Sequence, residues 1–369
     1  MSTIFYSIMG EGRGHAARAR TIVEEMRSRH RIVLFTSHDA LAFLSKQYGE
    51  SSDVEVREIP GLKFHYSEKK LNLIKTINHG LGMWWNKEKL IAPLAEVVRD
   101  EKPDLVISDF EPLLARAAHR TNVPVLSFDH QHFLVAYDLS SLPSRLQWWA
   151  KSMSLAVWMF GIGQQKTVVS AFYKPPLRPG FEDVVQVGPL LRPTIRNRET
   201  TTGDFVLSYL RRQTPERVVD VLVDLGVPIR IYGLGPREPR GSAEFCEIDE
   251  DSFTEALVNC SAVIAASGNQ LCGEALHLGK PMFAIPEGKH FEQCINASFV
   301  KELGAGDWAA VEEVKREQFE EFLADRETYR QNLTGRRAEF DGTPAAVAAI
   351  EEMLCQSGTS VTSESVVTR

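Results

Sequence analysis

Cysteine is scarce here, and its pattern leads nowhere structural. The five thiols among 369 residues, Cys246, Cys260, Cys272, Cys294 and Cys355, are odd in number and form no CxxC pair. A disulfide framework or a cysteine zinc site is therefore not expected, and ordinary thiols of a cytoplasmic protein are. Long apolar runs are missing too. No stretch approaches the roughly 18 uninterrupted residues that a bilayer span needs. Met1–Met9 lacks the basic-then-apolar order of a secretory leader. Excess positive charge is also absent: the formal net charge is -7, so no nucleic-acid partner is expected. The two halves differ in sign. Residues 1–187 carry 23 basic and 20 acidic side chains, whereas residues 188–369 carry 19 and 29. The more basic first half suits an anionic acceptor or an anionic membrane surface.

What is present is alternation. Strand-like runs at Ile4–Ile8, Ile32–Phe35, Val54–Ile59, Asp104–Ile107 and Val123–Phe128 are interleaved with helical patterns at 16–29, 69–79, 84–100 and 112–120. That order predicts a parallel, doubly wound α/β sheet. Gly188–Pro193 and the polar stretch to Asp204 read as a linker. Phe205–Leu210, Ile229–Tyr232, Ala262–Ala266 and Met282–Ile285 then begin a second sheet of the same kind. A chain of this length fits two domains of ordinary size.

Ser267–Gly306 is the most informative run. After the strand, Ser267-Gly268-Asn269 turns the chain into a helix whose free N–H groups and positive dipole end suit an anion. Gln270 and Glu274 share one helix face, four residues apart. Gly279-Lys280-Pro281 ends that helix, and Glu292-Gln293 stand at the start of another. A phosphate at the first turn leaves an attached ribose for Glu274, since a carboxylate accepts from both hydroxyls of a cis-diol. Glu292 and Gln293 would then meet a sugar beyond the phosphates.

The motif S-G-x(5)-E-A-L-x(2)-G-K-P-x(3)-I-P, followed by E-Q-x(2)-N-A and G-A-G, resembles the nucleotide-binding signature of GT-B glycosyltransferases. It is similar to the peptidoglycan N-acetylglucosaminyltransferases of glycosyltransferase family 28 and their poorly characterised bacterial and archaeal relatives. The resemblance implies two Rossmann-like domains facing each other across a cleft. Residues 1–187 would bind the acceptor, 188–203 would link, and 204–343 would bind the nucleotide sugar. Residues 344–355 would form a helix returning to the first domain, and 356–369 a disordered tail. It also implies a UDP-sugar donor, no cofactor and no metal. The acceptor would be a hydroxyl, with a lipid-linked or cell-envelope one among the options, met at the inner face of the membrane.

The same resemblance gives the first glycine loop a meaning. Gly10-Glu11-Gly12-Arg13-Gly14-His15 follows the first strand, and its third glycine comes one residue early for a dinucleotide fingerprint. In the resembled fold the Gly-His step supplies the catalytic base, here His15, and an aspartate at a neighbouring strand end, here Asp109, holds it. Gly12, Arg13 and Gly14 would let an acceptor or its phosphate approach the backbone. From the residues alone Asp109 is equally an N-cap for the helix after Pro112, and Glu111 is a competing carboxylate. Asp129, His130 and His132 form a cluster at another strand end, read as acceptor-site lining or a hydrogen-bonded loop. Asp249-Glu250-Asp251 reads as helix-start chemistry. Trp148–Phe160 is too short to span a bilayer. Its pattern fits a core helix, and it also fits an interfacial helix with a tryptophan at each end. Two further readings stay open: a UDP-sugar 2-epimerase using Glu111 or Asp129, and a sugar-nucleotide-binding protein without catalysis.

Overall fold

Runs of β-branched and aromatic residues between amphipathic helices hide both faces of a sheet when the strands are parallel and helices cover them. The computed structural model describes residues 1–11, 13–51, 53–61, 66–67, 70–71, 86–160, 163–287 and 289–364. The first half supplies β1 (Thr3–Ile8), β2 (Arg31–Thr36) and β3 (Val54–Glu58). A small antiparallel pair follows, β4 (Tyr66–Ser67) and β5 (Lys70–Leu71). Then come β6 (Leu105–Asp109), β7 (Val125–Asp129), β8 (Lys166–Ser170) and β9 (Val185–Val187). Seven of these form one parallel sheet in the order β3-β2-β1-β6-β7-β8-β9.

The second half supplies β10 (Val206–Tyr209), β11 (Ile229–Tyr232), β12 (Arg237–Arg240), β13 (Ala243–Cys246), β14 (Ala262–Ala265), β15 (Met282–Ala284) and β16 (Gly306–Trp308). Their order is β12-β13-β11-β10-β14-β15-β16, parallel except for the β12 edge. The fold is thus two doubly wound α/β domains. In each sheet the strand order reverses once near the middle, between β1 and β6 and between β10 and β14. Such switch points open a crevice at the carboxyl ends of the strands.

The main helices are α1 (Arg13–Met26), α2 (His38–Tyr48), α3 (Lys87–Glu101), α4 (Pro112–Arg120), α5 (Ser144–Phe160) and α6 (Glu216–Asp224). They continue with α7 (Glu250–Asn259), α8 (Asn269–His277), α9 (Phe291–Glu302), α10 (Arg316–Leu333) and α11 (Thr343–Glu364). On α11, Ala346, Ala349, Ile350, Met353 and Leu354 join Ile4, Tyr6, Ile22, Met26, Ile107 and Leu126 in one buried cluster, so this helix packs on the first domain. Glu351 pairs with Arg29 and His30, and Glu352 with Lys166. Another apolar cluster runs across both domains. Within it Tyr173 stacks on Phe299 with ring centroids 3.9 Å apart.

Two expectations need correction, and the open reading of α5 narrows. Lys70–Leu71 is strand where a helix over 69–79 is predicted, because it pairs with Tyr66–Ser67; the rest of that prediction lies outside the described residues. The last helix runs on to Glu364, past the point where a disordered tail was expected. α5 is not core all round: Leu146, Ala150 and Val157 are buried, but Trp148, Leu155 and Trp158 are 73%, 62% and 69% exposed. Gly12 and the Arg13 side chain lie outside what is described.

Candidate functional site

The switch point of the first sheet brings the end of β6 beside the end of β1, with Ile8 opposite Asp109 in register. Gly10 makes the turn into α1 against Ser37, where an added Cβ would stand 2.1 Å from the Ser37 hydroxyl. His15, in the first turn of α1, places Nδ1 2.7 Å from Asp109 Oδ1. A carboxylate oxygen only accepts, so Nδ1 carries the proton, and in the neutral ring Nε2 is then the nitrogen with the lone pair. Asp109 is fully buried. The sequence reading missed its second partner. Arg18, itself 6% exposed, donates from Nε to Asp109 Oδ2 at 2.8 Å and from Nη2 to Oδ1 at 2.6 Å. A signal for it was available: Arg18 lies four residues before buried Ile22 and eight before buried Met26, on the apolar stripe of α1. A cation there requires a buried counterion.

Asp109 is not the cap of α4. Glu111 is, accepting from the N–H groups of Leu113 (2.8 Å) and Leu114 (2.9 Å). Burial pushes the Glu111 carboxyl up to about 7, against the pull of those two donors. Between Asp109 and Glu111 the chain turns through Phe110 with φ of 56°, a left-handed conformation that costs a bulky side chain about 1 kcal/mol or more.

At the end of β7, Asp129 accepts from the His132 backbone N–H (2.8 Å) and from His132 Nδ1 (2.6 Å). Burial alone would raise Asp129, but the paired His132 holds it down at about 2. Burial would lower His132, yet Asp129 keeps it above the ordinary imidazole value. The two histidines of this loop do not converge. His130 Nδ1 donates to the Ser170 carbonyl at 2.9 Å, which leaves its Nε2 as an acceptor. That nitrogen is buried without a hydrogen-bond partner, 3.9 Å from Glu292 Oε1 on α9 of the other domain. Burial pushes His130 below the ordinary value, against the pull of Glu292.

The second switch point carries Ser267-Gly268-Asn269. Gly268 caps α8 with no side-chain hydrogen bond, and an added Cβ there would meet nothing within 4 Å. Ser267 Oγ donates to the Gln293 carbonyl (2.7 Å), and Asn296 donates to the Ser267 carbonyl (2.9 Å). Asn269 reaches across to the first domain: its Nδ2 donates to the Ser170 carbonyl (3.1 Å) and its Oδ1 accepts from the Phe172 N–H (3.3 Å). Gln270 donates to the Leu190 carbonyl and to Glu274 Oε1.

Glu274 is not open. Arg192, in the interdomain turn, donates from Nε to Oε1 (2.9 Å) and from Nη2 to Oε2 (2.8 Å). With Gln270, that makes three hydrogen bonds on a carboxylate that offers about four acceptor sites. No sequence signal marked Arg192, which stands in an irregular turn. The same arginine meets Glu250, which also pairs with Arg20 of α1. Gln293 is buried, its Oε1 accepting from the Glu287 N–H at 3.1 Å. Glu292 remains about one-third exposed. Asp249 caps α7 through the Ser252 N–H.

The family model described as glycosyl transferase family 1 matches residues 2–326. A Methanosarcina mazei protein described as an uncharacterized glycosyltransferase is 24% identical, over 95% of this chain and 98% of that protein. Two solved structures share the architecture at low identity. Arabidopsis thaliana UGT89C1, complexed with UDP-L-rhamnose, superposes with a TM-score of 0.69 at 13% identity, over 96% of this chain and 99% of that one. Acinetobacter baumannii MurG superposes with a TM-score of 0.62 at 15% identity, over 95% and 100%. The fold they share with this chain is GT-B.

Proposed function

This chain belongs to glycosyl transferase family 1 and is a GT-B glycosyltransferase, and from that premise we propose that it moves a sugar from a UDP-sugar to an acceptor hydroxyl with inversion. The observation that carries the reading is the His15–Asp109 pair at the switch point of the first sheet. With its proton on Nδ1 and bonded to Asp109, the imidazole offers Nε2 as a base. His15 takes the acceptor hydroxyl's proton while that oxygen forms a bond to the anomeric carbon. The bond from that carbon to the diphosphate breaks, and UDP leaves with the electron pair. Asp109 holds the tautomer and the imidazolium, and Arg18 holds Asp109.

Charge growing on the leaving diphosphate would be met by the first N–H groups of α8 and its dipole, after Ser267, Gly268 and Asn269. The Cβ-free approach at Gly268 suits a phosphate. Gln270 and Glu274 would serve the ribose, and the nucleotide must compete with Arg192 or use the one acceptor site Glu274 has left. Glu292 and His130 face each other as two acceptors across the domains. A sugar hydroxyl between them would satisfy one by donation, and Gln293 supports the loop beside them. Gly12, Arg13 and Gly14 would border the acceptor, for which a lipid-linked hydroxyl is one option.

The 2-epimerase reading is weaker on this geometry. Its two candidate carboxylates are engaged, Glu111 as a helix cap and Asp129 with His132. The deciding experiment is UDP release from a panel of UDP-sugars with and without a crude lipid extract, using wild type and His15→Ala. Acceptor-stimulated release lost in the variant supports transfer. UDP binding with sugar isomerisation and no acceptor requirement would replace it with the epimerase.

A further inference from the structure

We propose that the outer face of α5 docks on an anionic membrane surface. Among the described residues, six large apolar side chains are exposed: Met1, Trp148, Met153, Leu155, Trp158 and Ile248. Four of these lie on this one helix. At about 100° per residue, Trp148, Lys151, Leu155 and Trp158 fall within about 80° of its circumference. They form a stripe with an indole near each end and an ammonium between.

The opposite face is anchored. Leu146, Ala150 and Val157 are buried, and Trp149 stacks on Phe291 of α9 with centroids 5.0 Å apart. The helix therefore presents its apolar stripe from a rigid base. Its charge is one-sided: Arg145 and Lys151 are exposed, and no acidic residue occurs from Ser144 to Phe160. The hydroxyls of Ser152 and Ser154 fold back onto the carbonyls of Trp149 and Lys151, so they do not compete for water on the exposed side. No helix among the described residues is long and apolar enough to cross a membrane. Indoles, an aliphatic side chain and an ammonium on one face of a helix of this length fit the boundary between lipid headgroups and acyl chains.

The anchoring also sets where a membrane would lie. Phe291 immediately precedes Glu292, so α5 would lie between a bilayer on its outer face and the cleft residue Glu292. An acceptor carried by a lipid would then be delivered without leaving the surface, a consequence that rests on the glycosyl-transfer reading.

The test uses the full chain and vesicles of phosphatidylcholine, with and without phosphatidylglycerol, with binding read by flotation and no donor or acceptor present. Binding to the anionic vesicles that weakens with salt is expected. The triple variant Trp148→Ser, Leu155→Ser, Trp158→Ser should lose at least about tenfold, and Lys151→Glu about fivefold. Circular dichroism and the thermal midpoint report whether each variant is folded; if the triple variant is not, Lys151→Glu decides. Absence of wild-type binding, or equal binding by the folded variants, overturns the proposal. So does a wild-type dimer that the triple variant splits, which would assign the face to a second copy. Because no sugar is transferred in this assay, a failed activity leaves its outcome standing.

Discussion

Removing His15 and removing Asp109 are different perturbations, although both atoms belong to one hydrogen bond. His15→Ala deletes a partly exposed ring and strands no charge. We expect activity to fall by roughly 10²–10⁴-fold with little change in thermal midpoint. Asp109→Ala also leaves the Arg18 guanidinium buried without a counterion, which costs about 3–5 kcal/mol. Urea titration of both variants checks this, and equal stabilities would show that Arg18 does not depend on Asp109. Glu111 gives a pH signature. Its folded value, about 7, lies above the 4.5 of the free side chain, so the folded state binds the extra proton between them. Stability from this group is full below about 4.5 and is lost as pH rises through about 7, a span on the order of 3 kcal/mol. Glu111→Gln should remove that slope while weakening the α4 cap by about 1 kcal/mol. Parallel urea midpoints from mildly acidic to neutral pH measure the difference.

At the level of elements, α8 and its cap carry two glycines that do opposite things. Gly273 lies against the linker: an added Cβ would stand 2.1 Å from Pro189 Cγ, on a ring that has little freedom to yield. Gly273→Ala should lose about 1–2 kcal/mol even after the gain in helix propensity. Gly268 faces open space, so Gly268→Ala should stay within about 1 kcal/mol of wild type. If phosphate approaches there, its UDP affinity should nevertheless fall, as read by calorimetric titration. Unchanged affinity would remove the phosphate from the α8 start. These helices also show what was legible in the sequence. Strand, glycine turn and helix repeat with clear period changes, so both sheets and the Pro112–Arg120 helix could be read directly; the meeting of His15 with Asp109 came from the family resemblance, since the residues alone left Asp109 equally an N-cap. Arg18 was not read although its spacing to Ile22 and Met26 marked it, and Arg192 was not read because a cation in an irregular turn looks like a solvated one until a distant carboxylate closes on it. β8 passed unnoticed because Lys166-Thr-Val-Val-Ser170 sets only two apolar residues between polar ones. α5 stayed open because its apolar residues point both inward and outward, and periodicity does not say which side has a partner.

For the whole molecule, the seam between the domains is apolar as well as ionic. Tyr173 stacks on Phe299, its hydroxyl donates to Asn296, and Asn296 in turn holds the Ser267 carbonyl. Phe299→Ala should cost about 3–5 kcal/mol and separate one calorimetric transition into two; a single transition at a slightly lower temperature would mean the seam adds little. Truncation before Thr343 should loosen the opposite end of the chain. Hydrogen exchange is expected to rise in α1, β6, β8 and β9, which α11 covers, and to stay slow in β14 and β15.

The contact of α11 with the first sheet also imposes a timetable on synthesis. At 5–20 residues per second, roughly ten to thirty seconds separate the emergence of β9 from that of the helix that closes the same core. Through that interval the first domain waits on the ribosome with the α11-facing side of Ile22 and Met26 uncovered. Its last layer arrives only after the entire second domain has been made, so the growing chain holds an unfinished first half as a client for chaperones until α11 appears.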